Sequence, residues 1–308
     1  MILVTAAYGN QGKLLVPKLV AAGLDVRAAV QSEASADRLR AAGVDDVVIG
    51  DISDPEVLRR AIRGVQKVYH VGPTLHPRER EIGIALVDAA RAEGVEHFVF
   101  SSVLHSIVTD LVQHEIKRDV EEHLLAADLE FTILQPANYM LPLKLRPAFE
   151  RGVFELSWSL DRRQSLVDLD DVTDVAVMAL TDSAGHAAAT YELVAPGRYT
   201  AVELGAIISK VLDRDIAVKE IDADTYAKAW LGDRDRDGAR LGDRDGDGDG
   251  DPADSTHQLA VLRSISSRYS AHDFLGNPNV LTWLLQREPT SFEQFVRREW
   301  SSYQQAPE

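Results

Sequence analysis

Short apolar segments alternate with helical patterns from residue 2 to residue 135, and few folds are compatible with this regular alternation. Apolar runs typical of strands lie at residues 2–5, 25–30, 47–49, 65–71, 97–101 and 131–135. The first helix carries Leu14, Leu15, Leu19 and Val20 and ends at Gly23, and later helices are predicted at residues 34–42, 55–62, 79–93 and 113–127. Strands that are apolar throughout and alternate with helices indicate a parallel sheet covered on both faces. The sequence therefore predicts an α/β fold in which six strands complete a doubly wound parallel sheet of the Rossmann type.

The turn between the first strand and the first helix is T-A-A-Y-G-N-Q-G at residues 5–12. A pyrophosphate requires a turn without side-chain obstruction and a helix N-terminus whose free N–H groups point at it. Gly9 and Gly12 meet the first requirement, although Ala6 stands where the common Gly-x-x-Gly-x-x-Gly turn has its first glycine. Incidental glycines in a plain turn are the alternative, but the βαβ repetition that follows favours a dinucleotide site. We expect the turn that starts at Thr5 to hold NADP(H) or NAD(H).

The end of the second strand distinguishes the two dinucleotides, because a carboxylate there binds a ribose 2′-hydroxyl and an arginine binds a 2′-phosphate. The chain has Gln31 and Ser32 at this place, and both side chains can bond either group. Glu33 would disfavour a phosphate if it pointed inward. We expect NADP(H) to be favoured over NAD(H). Asp51, after the third strand, is placed either to accept the adenine amino group or to serve as a turn residue.

Charge and composition exclude several classes of protein. The 308 residues are 45% hydrophobic, which is enough for a full-sized core. The 33 basic and 49 acidic residues give a net charge of -16, which repels nucleic acid. There is no cysteine, hence no disulfide, thiol nucleophile or thiolate metal site. The apolar N-terminal run is short and lacks a basic start, so we expect a strand there, no signal peptide or membrane span, and a cytoplasmic protein.

The second half of the chain mixes shorter elements. Strands are predicted at residues 165–168 and 190–194, and helices at 170–180, 201–211, 259–267, 280–285 and after Ser291. We expect residues 1–139 to form the NAD(P)-binding domain and residues 140–308 to form a smaller C-terminal α/β lobe for a substrate or partner. Residues 232–254 are dense in Asp, Arg and Gly. They predict a flexible insert, because they cannot bury enough apolar surface to offset their ordering entropy.

No metal site is predicted. The alternating Asp and Gly residues at 243–251 have a spacing similar to that of calcium loops. They lack the closing glutamate and the flanking helices of such a loop, so a solvated linker is favoured. The histidines form no pattern typical of zinc.

Several of these motifs together resemble the NmrA-like family of atypical short-chain dehydrogenase/reductase proteins, which includes NAD(P)-sensing regulators and NAD(P)H-dependent reductases. The resemblance rests on V-T-A-A-Y-G-N-Q-G-K at 4–13, G-D-I-S-D at 50–54, F-V-F-S-S-V at 98–103, K-R-D-V-E-E-H-L at 117–124, F-T-I-L-Q-P-A-N-Y-M at 131–140 and G-N-P-N-V-L-T-W-L-L at 276–285. It implies that Gly9, Asn10, Gln11 and Gly12 contact the pyrophosphate, Gln31, Asp51 and Ile52 the adenosine, Val71, Gly72 and Pro73 the middle of the cofactor, and Pro136, Ala137 and Asn138 the nicotinamide.

The catalytic pair of ordinary short-chain dehydrogenases is incomplete. Those enzymes place a tyrosine four residues before a lysine on one helix, so that the lysine, bonded to the ribose, lowers the pKa of the phenol. Lys117 fits the lysine, but Gln113 stands in the place of the tyrosine and cannot donate a proton as a phenol does. His114 shares a helix face with Lys117 and is either an acid or a surface or second-layer histidine.

Two further donors lie at the carboxyl edge of the predicted sheet, where open α/β sheets bind ligands. Ser101 and Ser102 end the fifth strand, and one of them is expected to contact the nicotinamide ribose or a substrate carbonyl. Tyr139 follows the sixth strand and is either a donor or a residue that lines the pocket.

Two functions remain open at this point. The first is an NAD(P)H-dependent reductase of a small carbonyl or quinone-like substrate, in which Lys117, Ser101 or Tyr139 stabilises the developing oxyanion. The second is a redox sensor that binds the dinucleotide without turnover and acts through a protein partner. The loss of the tyrosine at position 113 motivates the sensor, and the negative charge indicates that its partner is not DNA.

Overall fold

The computed structural model describes residues 1–228 and 252–305. Its strands are β1 (Ile2–Val4), β2 (Val26–Val30), β3 (Asp46–Ile49), β4 (Lys67–Val71), β5 (His97–Ser101), β6 (Phe131–Pro136), β7 (Asn138–Met140), β8 (Val153–Leu156), β9 (Leu166–Asp168), β10 (Ala189–Leu193) and β11 (Ala217–Glu220). Its helices are α1 (Gly12–Ala21), α2 (Glu33–Ala41), α3 (Pro55–Ile62), α4 (Glu79–Glu93), α5 (Val112–Leu125), α6 (Pro142–Arg151), α7 (Leu169–Thr181), α8 (Ser183–His186), α9 (Ala201–Leu212), α10 (Pro252–Ala271), α11 (Asn279–Leu285) and α12 (Phe292–Gln305).

Within the described residues, seven strands form one parallel sheet in the order β10-β6-β5-β4-β1-β2-β3. Successive residues of β1 point to opposite faces, so that Ile2 and Val4 belong to one apolar core and Leu3 to the other. Helices cover both cores, which confirms the predicted doubly wound α/β fold. The chain order reverses between β1 and β4, and this is where such sheets open a crevice for ligands.

The sequence prediction misplaced one strand. We expected six strands to complete the sheet and assigned the strand near residue 190 to the smaller lobe. The structure instead places β10 in the main sheet, parallel to β6 with Tyr191 opposite Leu134. Next to it in sequence, α7 packs on α1, where Lys18 Nζ contacts Asp174 Oδ1 at 2.6 Å. A short apolar pattern predicts a strand but does not indicate its partner, because pairing depends on tertiary contacts.

The rest of the C-terminal half builds the walls of the crevice. Two small parallel sheets, β7 with β9 and β8 with β11, pack with α6, α9 and α12. The sequence prediction omitted β7, α6, β8, α8 and β11; α6 has Pro142 in its first turn and Pro147 inside, and an internal proline is unfavourable in a helix. Of the predicted insert at 232–254, residues 232–251 lie outside the described residues, and residues 252–254 belong to the backbone of α10.

Candidate functional site

The turn between β1 and α1 leaves almost no room for side chains. A Cβ added at Gly12 would lie 2.4 Å from the carbonyl carbon and oxygen of Ala7, and one added at Gly9 would lie 3.1 Å from the carbonyl oxygen of Ala6. Ala6 itself has a φ of +48°, in the region that favours glycine. Among the described residues, no side chain caps the first turn of α1. The backbone of the turn and the positive end of the helix are therefore available to an anion.

A small pocket lies on one side of this turn, beside β2 and β4. The residues that line it include Thr5, which begins the predicted turn, and four of those expected near the adenosine or the middle of the cofactor: Gln31, Ile52, Val71 and Pro73. Asp51 does not line it. This carboxylate is exposed and accepts a hydrogen bond from the N–H of Ser53 at 2.8 Å, which is the turn arrangement that the sequence left as the alternative.

The end of β2 presents no outward carboxylate to a ribose phosphate. Ser32 is buried, and its hydroxyl caps α2 by accepting the N–H of Ser35 at 3.1 Å. Glu33 forms an ion pair with Arg40 at 3.1 Å on the exposed side of the same helix. Glu33, whose carboxylate would repel a 2′-phosphate, is thus paired with Arg40 along α2.

A larger cavity of about 180 Å³ opens on the other side of the turn. It brings together most of the predicted residues: Gly9, Asn10, Gln11, Gly12, Val71, Gly72, Ser101, Lys117, Pro136, Ala137, Asn138 and Tyr139. The two pockets share Ala6 and Val71 as lining residues and therefore adjoin at the glycine turn; together they are called the groove below. Two adjoining pockets with bare backbone between them fit a dinucleotide.

Gln11 organises the polar groups on the floor of this cavity. Its side chain is buried, and its amide nitrogen donates to the hydroxyl of Ser101 at 2.9 Å and to that of Tyr139 at 2.8 Å. The hydroxyl of Tyr69 donates to the amide oxygen of Gln11. Burial raises the pKa of Tyr139 to about 12, although its hydrogen bonds to Ser101 and Gln11 oppose the shift. At neutral pH, Tyr139 is therefore a neutral phenol and a weak acid.

Lys117 reaches the cavity as one half of a buried ion pair. Its Nζ lies 2.7 Å from Oε1 of Glu79, and both side chains are more than nine-tenths buried. A Cβ on Gly72 would lie 2.5 Å from Oε1 of Glu79 and 2.8 Å from Nζ of Lys117, so this glycine makes room for the pair. Burial, with the charge of Lys117 second, lowers the pKa of the neighbouring His70 to about 3. The sequence analysis missed Glu79, because an acidic residue at the start of a helix is explained by the helix dipole alone.

Gln113 and His114 both lie near Lys117 on α5, but only one of them lines the cavity. Gln113 lines the cavity, where the sequence placed the missing tyrosine. His114 is fully buried, does not line the cavity, and its Nδ1 bonds the carbonyl oxygen of His105 at 2.9 Å. Burial lowers the pKa of His114 to about 4. This histidine is neutral at physiological pH and lies outside the site, so we give it no catalytic role.

The far end of the cavity comes from residues that the sequence analysis did not select. The rings of Trp158 and Tyr269 pack edge to face with their centroids 5.5 Å apart, and the rings of Tyr269 and Phe274 pack at a tilt of 30° with centroids 5.0 Å apart. Beside them, Nζ of Lys144 donates to Oδ1 of Asn138 at 3.0 Å. These residues lie on separate elements after residue 140, and no motif in the sequence connects them.

Residues 1–228 and 252–305 contain neither of two further features, a metal-binding cluster and a membrane-spanning helix. No group of three or more His, Asp or Glu side chains there is arranged to hold a metal ion. The Asp-Gly run at 243–251 lies outside the described residues. None of the described helices has the length and apolar content needed to cross a membrane.

Comparison with known proteins identifies the family. The NAD(P)H azoreductase of Xenophilus azovorans is 31% identical over 235 residues, which cover 75% of this chain and 81% of that protein. The structure of an Escherichia coli NADPH-dependent quinone oxidoreductase with NADPH matches with a TM-score of 0.75 at 21% identity, over 97% of this chain and 99% of that one. The structure of NmrA, a negative transcriptional regulator, in complex with NADP has a TM-score of 0.73 at 16% identity, over 98% and 95% of the two chains. The family description "NmrA-like family" matches residues 1–233, and the chain therefore belongs to the NmrA-like family.

Proposed function

We propose that this protein is an NAD(P)H-dependent reductase that transfers hydride directly to a small quinone-like or carbonyl acceptor. One observation carries the proposal: the pocket at Gln31 and Ile52 adjoins, at the turn of Gly9 and Gly12, a cavity with aromatic walls. The relative at 31% identity is named an azoreductase, which supports reduction of an aromatic acceptor. In this proposal, residues 1–139 hold the cofactor and residues 140–308 supply the wall against which the acceptor binds.

When bound, the cofactor would supply one hydride. This hydride and one proton convert a quinone to a hydroquinone and leave NAD(P)⁺. The protein would hold this cofactor by the backbone of Gly9, Asn10 and Gly12 at the pyrophosphate, and by Pro136 and Asn138 beside the nicotinamide.

The polar residues of the cavity act on the charge that develops on the acceptor. The hydroxyls of Ser101 and Tyr139 are fixed by Gln11 and can donate hydrogen bonds to an acceptor oxygen. Lys117 lines the same cavity, where its ammonium, although paired with Glu79, can donate a further hydrogen bond to the acceptor oxygen. Because the pKa of Tyr139 is about 12, this phenol orients and polarises the acceptor but transfers its proton poorly, and water supplies the proton.

We further propose that NADP(H) is favoured over NAD(H). Glu33 is paired with Arg40, so the end of β2 carries no carboxylate directed at the 2′ position, and Gln31 lines the adenosine pocket. Calorimetric titration with NADPH and NADH tests this choice, and tighter binding of NADH would contradict it.

A non-catalytic redox sensor remains the second candidate, and Gln113 in place of the catalytic tyrosine favours it. Such a sensor would bind the cofactor and signal through a protein partner. NAD(P)H consumption with a panel of quinones and aromatic aldehydes decides between the two. Steady turnover with any acceptor supports the reductase. Unequal binding of NADP⁺ and NADPH with no turnover supports the sensor.

A further inference from the structure

A buried histidine lies at the wall of the adenosine pocket. His70 belongs to β4, and only 1% of its surface is exposed. It lines this pocket together with Thr5, Ile52 and Pro73. Its ring stacks on that of Phe100, with the two centroids 5.6 Å apart and the planes inclined by 14°. This packing holds the imidazole in one orientation beside the pocket.

The hydroxyl of Thr5 determines which ring nitrogen of His70 carries the proton. Its Oγ1 accepts the N–H of Val71 at 3.0 Å and donates its single proton to the carbonyl oxygen of Val71 at 3.2 Å. Nδ1 of His70 lies 2.9 Å from the same Oγ1. Because the hydroxyl proton is already used, Nδ1 is the donor in this contact. Burial lowers the pKa of His70 to about 3, so the ring is neutral at pH 7 and holds no second proton.

The opposite nitrogen, Nε2 of His70, therefore presents a lone pair. It makes no hydrogen bond within residues 1–228 and 252–305. Nδ1 of His97 and Nε2 of His114 also lack a partner among these residues, but protein encloses them completely, which is not so for Nε2 of His70. A buried acceptor without a donor is unfavourable, so a ligand that supplies an N–H to this nitrogen gains affinity.

The adenine ring of a dinucleotide carries such a donor in its exocyclic amino group. The sequence offered Asp51 as the acceptor for this group. In the structure, Asp51 is exposed, does not line the pocket and accepts the N–H of Ser53 at 2.8 Å. The position expected of the acceptor is thus taken by a turn residue, whereas His70 reaches the pocket from the neighbouring loop's strand, β4.

We propose that Nε2 of His70 accepts a hydrogen bond from the amino group of adenine and thereby selects an adenine dinucleotide. Ala29, Val30 and Ile52 line the same pocket, and an apolar lining with a few placed polar groups is typical of sites that orient a flat ligand. The inference rests on the cofactor binding in the proposed function and adds a residue that recognises the base.

The test compares NADP⁺ with deamino-NADP⁺, in which an oxygen replaces the amino group of the base. Calorimetric titration of the wild type should give a Kd at least about tenfold lower for NADP⁺, because Nε2 accepts an N–H but repels the lone pairs of an oxygen. In His70→Phe the ratio of the two Kd values should approach one. His97→Phe is the matched control with a wild-type ratio, because His97 is also buried, bonds Thr132 at 2.9 Å and lines neither pocket of the groove.

A second measurement needs no variant. Nitrogen-15 NMR of the labelled wild-type protein should show a neutral histidine with an unprotonated Nε2 whose resonance moves on addition of NADP⁺ and moves less with deamino-NADP⁺. Selective binding of NADP⁺ without reduction of any acceptor supports the inference, and the reductase function alone then fails. Turnover of NADPH and deamino-NADPH with equal KM supports the reductase and overturns the inference. Equal Kd values in the wild type, tighter binding of deamino-NADP⁺, or an unchanged ratio in His70→Phe also overturns it.

Discussion

Replacing Gly12 by Ala tests whether the turn before α1 holds a pyrophosphate. The added Cβ would lie 2.4 Å from the backbone carbon and oxygen of Ala7 and 2.5 Å from the carbonyl oxygen of Ala6. Non-bonded carbon atoms pack at about 3.5–4.0 Å, so the start of the helix has to move by about 1 Å. None of these neighbours is a side chain that can rotate away. We expect the free energy of unfolding to fall by about 1–3 kcal/mol, as for other overpacked sites.

The cofactor should respond more strongly than the fold. A displaced helix start no longer aims its N–H groups at the pyrophosphate, and we expect the Kd for NADPH to rise at least tenfold, or about 1.4 kcal/mol. Gly205→Ala is the control, because its Cβ would lie 2.1 Å from Cγ2 of Val218, outside the groove. Urea denaturation and calorimetric titration are measured on both variants. If the two variants are destabilised to a similar extent but Gly12→Ala binds NADPH as tightly as the wild type, the pyrophosphate assignment is refuted.

Three further changes probe the same groove and the sheet beneath it. Glu79→Gln leaves Lys117 as a buried charge without its carboxylate, so the free energy of unfolding measured in urea should fall by about 3 kcal/mol. Adding Lys117→Met should restore part of this loss, and strictly additive losses in the double variant would contradict the ion pair. Ala6→Gly relieves a positive φ and should raise stability by about 1 kcal/mol, whereas a loss would show that this backbone is unstrained. Burial lowers the pKa values of His70 and His97 to about 3 and about 4, so both stay neutral in the fold and take up protons only on unfolding. The contribution of these neutral histidines to the free energy of unfolding is therefore fully present above pH 6.5 and is lost below it, by about 2 kcal/mol for each histidine at pH 5. A urea midpoint that does not change from pH 7 to pH 5 would disprove this.

Local signals in the sequence were sufficient to predict the elements from β1 to β6. Asp54 caps α3 by accepting the N–H of Glu56 at 2.8 Å, and the left-handed Gly94 ends α4. These features depend on residues a few positions apart. Such residues can be read along the chain without knowledge of the tertiary fold.

The features that the sequence analysis missed depend on tertiary contacts. The resemblance implied that Gln11 contacts the pyrophosphate, which stays a prediction; the structure adds that its side chain joins Ser101 and Tyr139, residues 90 and 128 positions away. Lys144 follows a proline in a segment that predicts no helix, and its aromatic neighbours come from distant elements. Only the folded chain brings these groups together.

The most direct test of the dinucleotide groove is a calorimetric titration of the protein with NADPH. We predict one site per chain with a micromolar Kd, equivalent to about −8 kcal/mol. The absence of a binding signal with NADPH, and equally with NADH, would contradict the cofactor assignment on which the proposed reductase function depends.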